Sequence, residues 1–181
     1  MKILKTQTLR GPNFWSIRYP KLVIIRLDLE ELAEKPSDQI PGFYEGLVEL
    51  LPSLVEHFCS PGCRGGFLSR VHEGTMMGHI AEHVALELQT LAGISVGFGR
   101  TRETSTPGVY QVVIEYQNEQ AGRYAARAAV RICQSLADTG HYSAEELKKD
   151  LADLHELALE AALGPSTDHI CLLYTSDAAD E

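Results

Sequence analysis

Long apolar runs and a surplus of positive charge are both missing from this sequence. No stretch approaches the roughly 18 consecutive apolar residues of a membrane-spanning helix, and no apolar signal core follows Met1. The 16 Lys and Arg residues stand against 25 Asp and Glu, which gives a formal net charge of −9. Duplex nucleic acid and anionic membranes attract proteins with a positive field. We therefore expect a cytoplasmic chain that binds neither nucleic acid nor membrane.

Cysteines are few, and a phosphate loop is absent. The four cysteines, at positions 59, 63, 133 and 171, are too unevenly spread over 181 residues for a disulfide framework. Cys59 and Cys63, with His57 and His72 nearby, offer the donors of a structural zinc knot. Their spacing and the lack of a second cysteine pair favour free thiols instead. No GxxxxGK[S/T] segment is present, so the sequence contains no recognisable ATP site.

What the sequence does contain is the pattern of one α+β domain, with a small mixed or antiparallel sheet packed by helices. Branched or alternating apolar runs predict strands at 2–8, 22–28, 96–101 and 109–116. Apolar residues at helical spacing predict helices at 43–58, 75–92, 119–136 and 143–164, with Pro52 as a break in the first. This mixed order of elements is typical of the α+β class.

The domain is expected to span residues 1–163, and the rest of the chain has a different character. Residues 164–170 have the composition of a linker. Residues 171–181 end without a cap or a terminal element and resemble translated sequencing-adapter read-through. We interpret 164–170 as a truncated linker and 171–181 as a non-native tail.

The residues with the clearest chemical potential are His79, Glu82 and His83, in an HxxEH spacing on the helix predicted at 75–92. At about 100° per residue the two histidines lie about 40° apart and Glu82 lies within about 60° of His79, so all three share a face. Two neutral imidazoles one turn apart suit zinc, and a nearby carboxylate suits proton abstraction from a bound water. The same spacing is found in inverted zinc peptidases. Histidines on the polar face of an ordinary amphipathic helix are the alternative.

A metal at this site needs a third protein ligand. Glu115, on the strand predicted at 109–116, is the preferred candidate, because a strand beside the helix can aim one carboxylate at the metal. Glu119, at the start of the next helix, is the alternative. Glu87 is rotated about 80° from His79 on the same helix, so we expect it to support a ligand rather than to be one.

Two groups of arginines are the remaining candidates. Arg100 and Arg102, in a segment rich in glycine and threonine, are candidates for contact with a zwitterionic substrate, with simple solvation as the alternative. Arg123, Arg127 and Arg131 recur every four residues, and a solvated helix face is favoured over a track that binds carboxylates.

Eight separate segments together resemble one known family. They are KILK at 2–5, LRGPN at 9–13, RLDLE at 26–30, IPGFYEG at 40–46, EHFC at 56–59, GHIAEH at 78–83, GFGRTRE at 97–103 and GPST at 164–167. They closely resemble the N-terminal domain of the cyanophycin synthetases, and the resemblance runs from Met1 to about Ile170.

The resemblance implies a function. Members of this family use ATP and Mg to make cyanophycin, a polyaspartate with arginine joined to each side chain. They carry an ATP-grasp and a Mur-ligase-like domain and assemble as homotetramers. The N-terminal domain is implied to bind the polymer and, in some members, to cut it with a metallopeptidase-like site that generates primers. The excess of acidic over basic residues in this chain would favour binding of a polymer that carries arginine.

Only part of that implication carries over to this sequence. His79, Glu82 and His83 match the implied metal and general-base site, whereas the ATP sites belong to domains that this sequence does not contain. We therefore expect no ligation by this chain. The alternative to a hydrolase is a non-catalytic module that anchors the polymer and retains a vestigial HxxEH site.

Overall fold

The structure is a computed structural model that describes residues 1–59 and 62–176, with side chains up to residue 160. Its strands are β1 (Lys2–Arg10), β2 (Lys21–Asp28), β3 (Gly99–Glu103) and β4 (Val109–Glu115). Its α-helices are α1 (Phe43–Leu50), α2 (Gly66–Glu73), α3 (Met77–Leu91), α4 (Glu119–Thr139) and α5 (Ala144–Ser176). Short 3-10 turns lie at Glu30–Leu32, Ser37–Gln39 and Pro52–Glu56.

The four strands form one antiparallel sheet in the order β1-β2-β4-β3. The branched residues of β2 and β4 alternate between the two faces of the sheet, as strand geometry requires. Val23, Ile25 and Leu27 enter the main core with α3 and α4, whereas Leu22 and Ile24 belong to a smaller cluster with Trp15 on the other face. The expectation of an α+β domain with a small sheet packed by helices is confirmed.

Small residues let α4 lie close to the sheet. Ala121, Ala125 and Ala129 are fully buried on this helix. A Cβ atom placed on Gly122 would stand 2.6 Å from the Cβ of Tyr116, so only glycine fits at this crossing. The close approach buries the inner face of β2 and β4, and it leaves α3 beside β3 at the end of the sheet.

The first predicted helix is divided. The pattern at 43–58 predicts one helix with a break at Pro52, and the structure ends α1 at Leu50 and continues as the turn at Pro52–Glu56. Proline lacks the N–H that an interior helical position must donate. The helix α2 was not predicted, because its glycine-rich start reads as loop. No helix in the described residues is long and apolar enough to span a membrane.

The last helix is longer than predicted. The sequence predicts an end at Gly164, followed by a linker at 164–170, but α5 continues through this range to Ser176. Good helix formers at 161–163 favour continuation of the helix over a stop. The expected linker is therefore helical in the structure. Of the tail predicted at 171–181, residues 177–181 lie outside the described residues.

Candidate metal centre

Helix α3 carries the HxxEH residues into the interior of the domain. Glu82 and His83 are only 6% and 7% exposed, and nearly every residue from Met77 to Gln89 is buried. Gly78 permits this position, because a Cβ there would stand 3.1 Å from the ring of Tyr110 on β4. His79, Glu82 and His83 share one helix face, as the spacing predicts, and that face lines a cavity in which His79 is only partly buried.

Cys59 joins the two histidines. Its Sγ and one ring nitrogen each of His79 and His83 all lie within 4.8 Å of one another, in the one such group found among the described residues. The Cys59 Sγ is 3.4 Å from the Nε2 of His79. We call Cys59, His79 and His83 the metal cluster. Cys59 lies in the segment that follows the 3-10 turn at Pro52–Glu56, about 20 positions before the histidines in the sequence.

The donor set of the metal cluster fits zinc. One thiolate with two imidazoles is a known ligand set of catalytic zinc sites, in which the fourth position is left for water. At ordinary Zn–S and Zn–N bond lengths and a tetrahedral angle, a sulfur and a nitrogen ligand stand about 3.6 Å apart. The observed 3.4 Å between Cys59 and His79 is close to this value. For this pair of residues, little rearrangement would be needed to hold the ion.

Both histidines are oriented through Nδ1. His79 Nδ1 lies 3.2 Å from Thr75 Oγ1, and His83 Nδ1 lies 3.0 Å from Nδ1 of His57. Assigned from this network, each ligand histidine donates from Nδ1 and keeps the lone pair of Nε2 for a metal. His57 in turn donates from Nε2 to the carboxylate of Glu87, at 2.7 Å. Glu87 is therefore linked to His83 by hydrogen bonds through His57.

Burial sets the protonation of the cluster. It lowers the pKa of His79 to about 4 and that of His83 to about 2, and the nearby positive charge of Arg70 acts in the same direction on both. The two imidazoles are therefore neutral at pH 7, which is the form that binds a metal. For Glu87, burial raises the pKa but is outweighed by hydrogen bonds from His57 and Ser53, so the pKa is lowered.

Glu82 is a buried carboxylate held beside the metal cluster. Its Oε2 accepts a hydrogen bond of 2.6 Å from Thr101 Oγ1 on β3. Burial raises the pKa of Glu82 to about 7, against the lowering effects of the Thr101 hydrogen bond and the charge of Arg100. A base with a pKa near the working pH combines a useful ionised fraction with a good affinity for the proton.

An open cavity of about 620 Å³ adjoins these residues. Its lining includes all three residues of the metal cluster, together with Glu82, and β3 contributes Gly99 to its wall. The volume lies within the range of ordinary ligand-binding cavities. A metal, a base and a substrate can therefore meet at one place.

The two carboxylates predicted as third ligand lie elsewhere. Glu115 Oε2 accepts hydrogen bonds from the backbone N–H groups of Gly97 and Phe98, at 2.9 and 3.1 Å. Glu119 binds Thr8, Arg10 and Arg123 on the other side of β2. The structure brings Cys59 rather than either glutamate to the histidines.

The other candidates are also located. Arg100 and Arg102 are exposed on β3, and the guanidinium of Arg102 lies 5.5 Å from the ring centre of Trp15. Cys63 is an exposed free cysteine outside the metal cluster. Cys59 and Cys63 therefore do not form the zinc knot that the sequence disfavoured. Cys59 alone lies beside possible metal ligands, the two histidines of α3.

Sequence reasoning missed the roles of Cys59 and His57. Both lie in a short segment before a loop rich in glycine and proline, and nothing in their spacing links them to a helix some 20 positions later. A weak signal was available, because His57 and Cys59 are separated by one residue and are rare residue types in this chain. That signal does not favour Cys59 over Cys63.

The fold and the site together define a class: a small α+β domain in which a cysteine lies against the two histidines of an HxxEH helix, a group that could hold a metal ion. A family model described as "Cyanophycin synthase-like N-terminal domain" matches residues 24–138, and the chain belongs to this family. It is 73% identical over 170 residues to a cyanophycin synthetase of Synechocystis sp. (strain ATCC 27184 / PCC 6803 / Kazusa), and 72% identical over 170 residues to one of Trichormus variabilis (strain ATCC 29413 / PCC 7937).

These matches cover most of this chain but little of the relatives. They include 94% of the chain, and 20% and 19% of the two synthetases. The chain therefore spans about one fifth of the length of the curated relatives that it matches. It corresponds to one part of a larger enzyme.

Proposed function

We propose that this domain binds cyanophycin, holds zinc at the metal cluster and hydrolyses the polymer, so that the new chain ends prime synthesis. The observation that carries the proposal is the convergence of Cys59, His79 and His83 beside the buried carboxylate of Glu82. The ligand set and a nearby base are the two parts that metal-assisted hydrolysis requires. The high identity to cyanophycin synthetases supports the choice of polymer.

The residues of this chain divide the chemical work. Zinc, when bound, supplies a Lewis acid that makes water a better nucleophile. Glu82 accepts one proton from that water as the oxygen attacks the carbonyl carbon of a peptide bond in the polymer, and it returns the proton to the leaving amine. The C–N bond breaks, and the products are one carboxylic acid and one amine, which ionise to a carboxylate and an ammonium group. Thr101 fixes the carboxylate of Glu82 during both transfers, through its 2.6 Å hydrogen bond.

Electrostatics support an arginine-bearing substrate. Glu56, Glu82 and Glu87 all line the cavity, in a chain whose net charge is −9, although Glu56 is paired with Arg64 and Glu87 with His57. Guanidinium groups on the polymer would be attracted to such a surface, since association between opposite charges is both faster and tighter.

The rest of the proposal concerns the parent enzyme. There, domains absent from this chain would use ATP and Mg to polymerise aspartate and arginine in the cytoplasm. The parent would assemble as a homo-oligomer, with a tetramer as the expected state. In that setting the domain described here would supply primers next to the sites of synthesis.

A second candidate is a polymer-anchoring module without hydrolysis. It is favoured by the direct contact of 3.4 Å between Cys59 Sγ and His79 Nε2, because a thiol can donate to an imidazole there with no metal present. The HxxEH residues would then be vestigial and would serve packing alone.

Zinc analysis and a cleavage assay separate the two candidates. The purified chain should contain about one zinc per molecule and should shorten cyanophycin over time. Glu82→Gln should keep the zinc and lose about 100-fold or more of the cleavage rate, a typical effect of removing a general base. Glu49→Gln, an exposed change of the same kind on α1, is the matched control and should cleave normally. Zinc-free protein that leaves the polymer intact would favour the anchoring module.

A further inference from the structure

Strand β3 is an edge of the sheet with unpaired backbone groups. The strand order gives β3 one neighbour, β4. Glu115 N donates to Phe98 O and Thr104 N donates to Val109 O, each at 2.8 Å, and the register between these two pairs is unbroken. Residues 98, 100, 102 and 104 therefore turn their backbone groups toward β4. The N–H and C=O groups of 99, 101 and 103 point away from the sheet, and the described residues provide them with no hydrogen-bond partner.

The two faces of this edge carry different charged groups. Gly99 and Thr101 face Glu82, and a Cβ on Gly99 would stand 2.5 Å from Glu82 Oε1. This side adjoins the cavity and its carboxylates. Arg100 and Arg102 are exposed on the opposite side, where Arg102 lies over Trp15. A single short strand thus separates a face that carries carboxylates, two of them already paired with Arg64 and His57, from a face that carries two arginines.

We infer that the edge of β3 binds the polymer as an additional, fifth strand, with successive branches alternating between Arg100 and Arg102 on one face and the acidic cavity on the other. The inference rests on the proposed function, in which cyanophycin is the substrate. Edge strands with free N–H and C=O groups bind extended peptides in this manner. The polymer backbone is a polyaspartate, so it offers the peptide groups that such pairing requires.

The spacing of the branches fits the spacing of the arginines. In an extended chain every second side chain points to the same face, at intervals of about 6.8 Å. Arg100 and Arg102 are two positions apart on β3 and have the same interval. Directly opposed side chains on neighbouring strands stand about 5 Å apart at Cβ, which is within reach of a guanidinium. Each branch of the polymer can therefore meet one arginine.

The charges of the polymer fit both faces. A branch that ends in arginine carries a guanidinium and a carboxylate. Arg100 and Arg102 are suited to bind the carboxylates in a bidentate manner. Branches on the cavity side would place their guanidinium groups near Glu56, Glu82 and Glu87. Pairing at this edge also brings the polymer backbone alongside Gly99, against which Glu82 is packed.

The test of the arginines measures the equilibrium binding of short, soluble cyanophycin chains to the 181-residue protein, in a Glu82→Gln background that prevents turnover. Arg100→Ala and Arg102→Ala should each raise the dissociation constant by roughly tenfold, the expected effect of losing one charge-assisted contact. Arg26→Ala removes the same charge from an exposed position two strands away on the same face, and it should bind as the background does. Equal affinity of all three variants and the background would overturn the inference.

The test of the backbone groups uses proline. Glu103→Pro removes one outward N–H from β3, whereas Glu103→Ala removes only the side chain and its hydrogen bond to Gly108 N. Thr6→Pro removes an outward N–H from β1, at the opposite edge of the sheet. Weaker binding by Glu103→Pro than by Glu103→Ala, with Thr6→Pro unaffected and all three folded by thermal melting, would support the inference.

Failure of this inference can be told apart from failure of the proposed function. Cleavage by the parent chain with unchanged binding in every β3 variant would leave hydrolysis standing and overturn the edge site. No binding of the polymer by either the background or the parent chain would overturn both. The arginine variants keep the inference falsifiable even if Glu103→Pro does not fold.

Discussion

Two buried polar clusters of this domain differ in how their hydrogen-bonding capacity is used. In the first, Asp150 accepts from Tyr124, Arg131 and Tyr142 at 2.6–2.8 Å; we call these four residues the Asp150 cluster. One acceptor group is surrounded by donors, and the charge of the carboxylate is compensated by Arg131. In the metal cluster, a sulfur and two imidazole lone pairs converge instead. Beyond a long contact of 3.9 Å from the Arg70 guanidinium to the Cys59 sulfur, the three ligand atoms lie close together, and a metal ion would satisfy all of them at once.

The difference indicates which cluster serves structure and which is suited to chemistry. The Asp150 cluster ties α4 to α5, and its polar groups bond to one another and to Asp153. The metal cluster opens on a cavity and stands beside a carboxylate whose pKa is raised to about 7 by burial. Perturbed groups in a cavity are typical of functional sites, whereas a saturated ion-pair network is typical of packing. Three substitutions test this distinction.

The largest effect is expected from Cys59→Ser. A hydroxyl is a much poorer zinc ligand than a thiolate, so zinc affinity should fall by about 100-fold or more. Elemental analysis after dialysis should show about one zinc per chain in the parent and almost none in the variant. Cys63→Ser is the matched control, because Cys63 is exposed and outside the metal cluster, and it should retain the zinc. Loss of zinc in both variants would contradict the assignment of Cys59 alone.

Asp150→Ala should act on stability and leave zinc unchanged. The substitution leaves the hydroxyl of Tyr142 without its carboxylate partner. It also removes the negative charge that compensates the guanidinium of Arg131, which is already half exposed. We expect the free energy of unfolding to fall by about 2 kcal/mol. Chemical denaturation measures it, and Asp153→Ala should cost less, because Tyr124 is the one hydrogen-bond donor to Asp153 among the described residues. A variant that also lost its zinc would show that the two clusters are coupled.

Gly99→Ala should have the smallest effect on stability and a selective effect on activity. The new Cβ would stand 2.5 Å from Glu82 Oε1 and 2.6 Å from its Cγ, so the carboxylate must move. We expect the free energy of unfolding to fall by about 1 kcal/mol and polymer cleavage to slow, with zinc retained. Gly97→Ala is the matched control, since its Cβ would meet nothing within 4 Å. Equal rates for the two variants would mean that the position of Glu82 is unimportant.

Much of the fold follows from local pattern. The branched runs of β2 and β4 and the long apolar spacing of α3 are placed within a few residues by the sequence, because each element buries one of its own faces. The predicted end of α5 at Gly164 was wrong, because the helix continues past the glycine and proline at 164 and 165 in the structure. Of the arginines predicted as a solvated stripe, Arg131 turns instead to Asp150. Its partner lies on a different helix, which no helical pattern records.

The sequence by itself determined the HxxEH face of α3 and the family of the chain. His79, Glu82 and His83 share that face because helical geometry is local, and the family follows from segments spread over the whole domain. Only the tertiary structure decided that Cys59, and neither Glu115 nor Glu119, stands with the histidines. It also placed Thr101 and Gly99 against Glu82. These contacts depend on how the segment before α2 and the edge strand β3 pack against α3, and such packing depends on the whole core rather than on spacing along the chain.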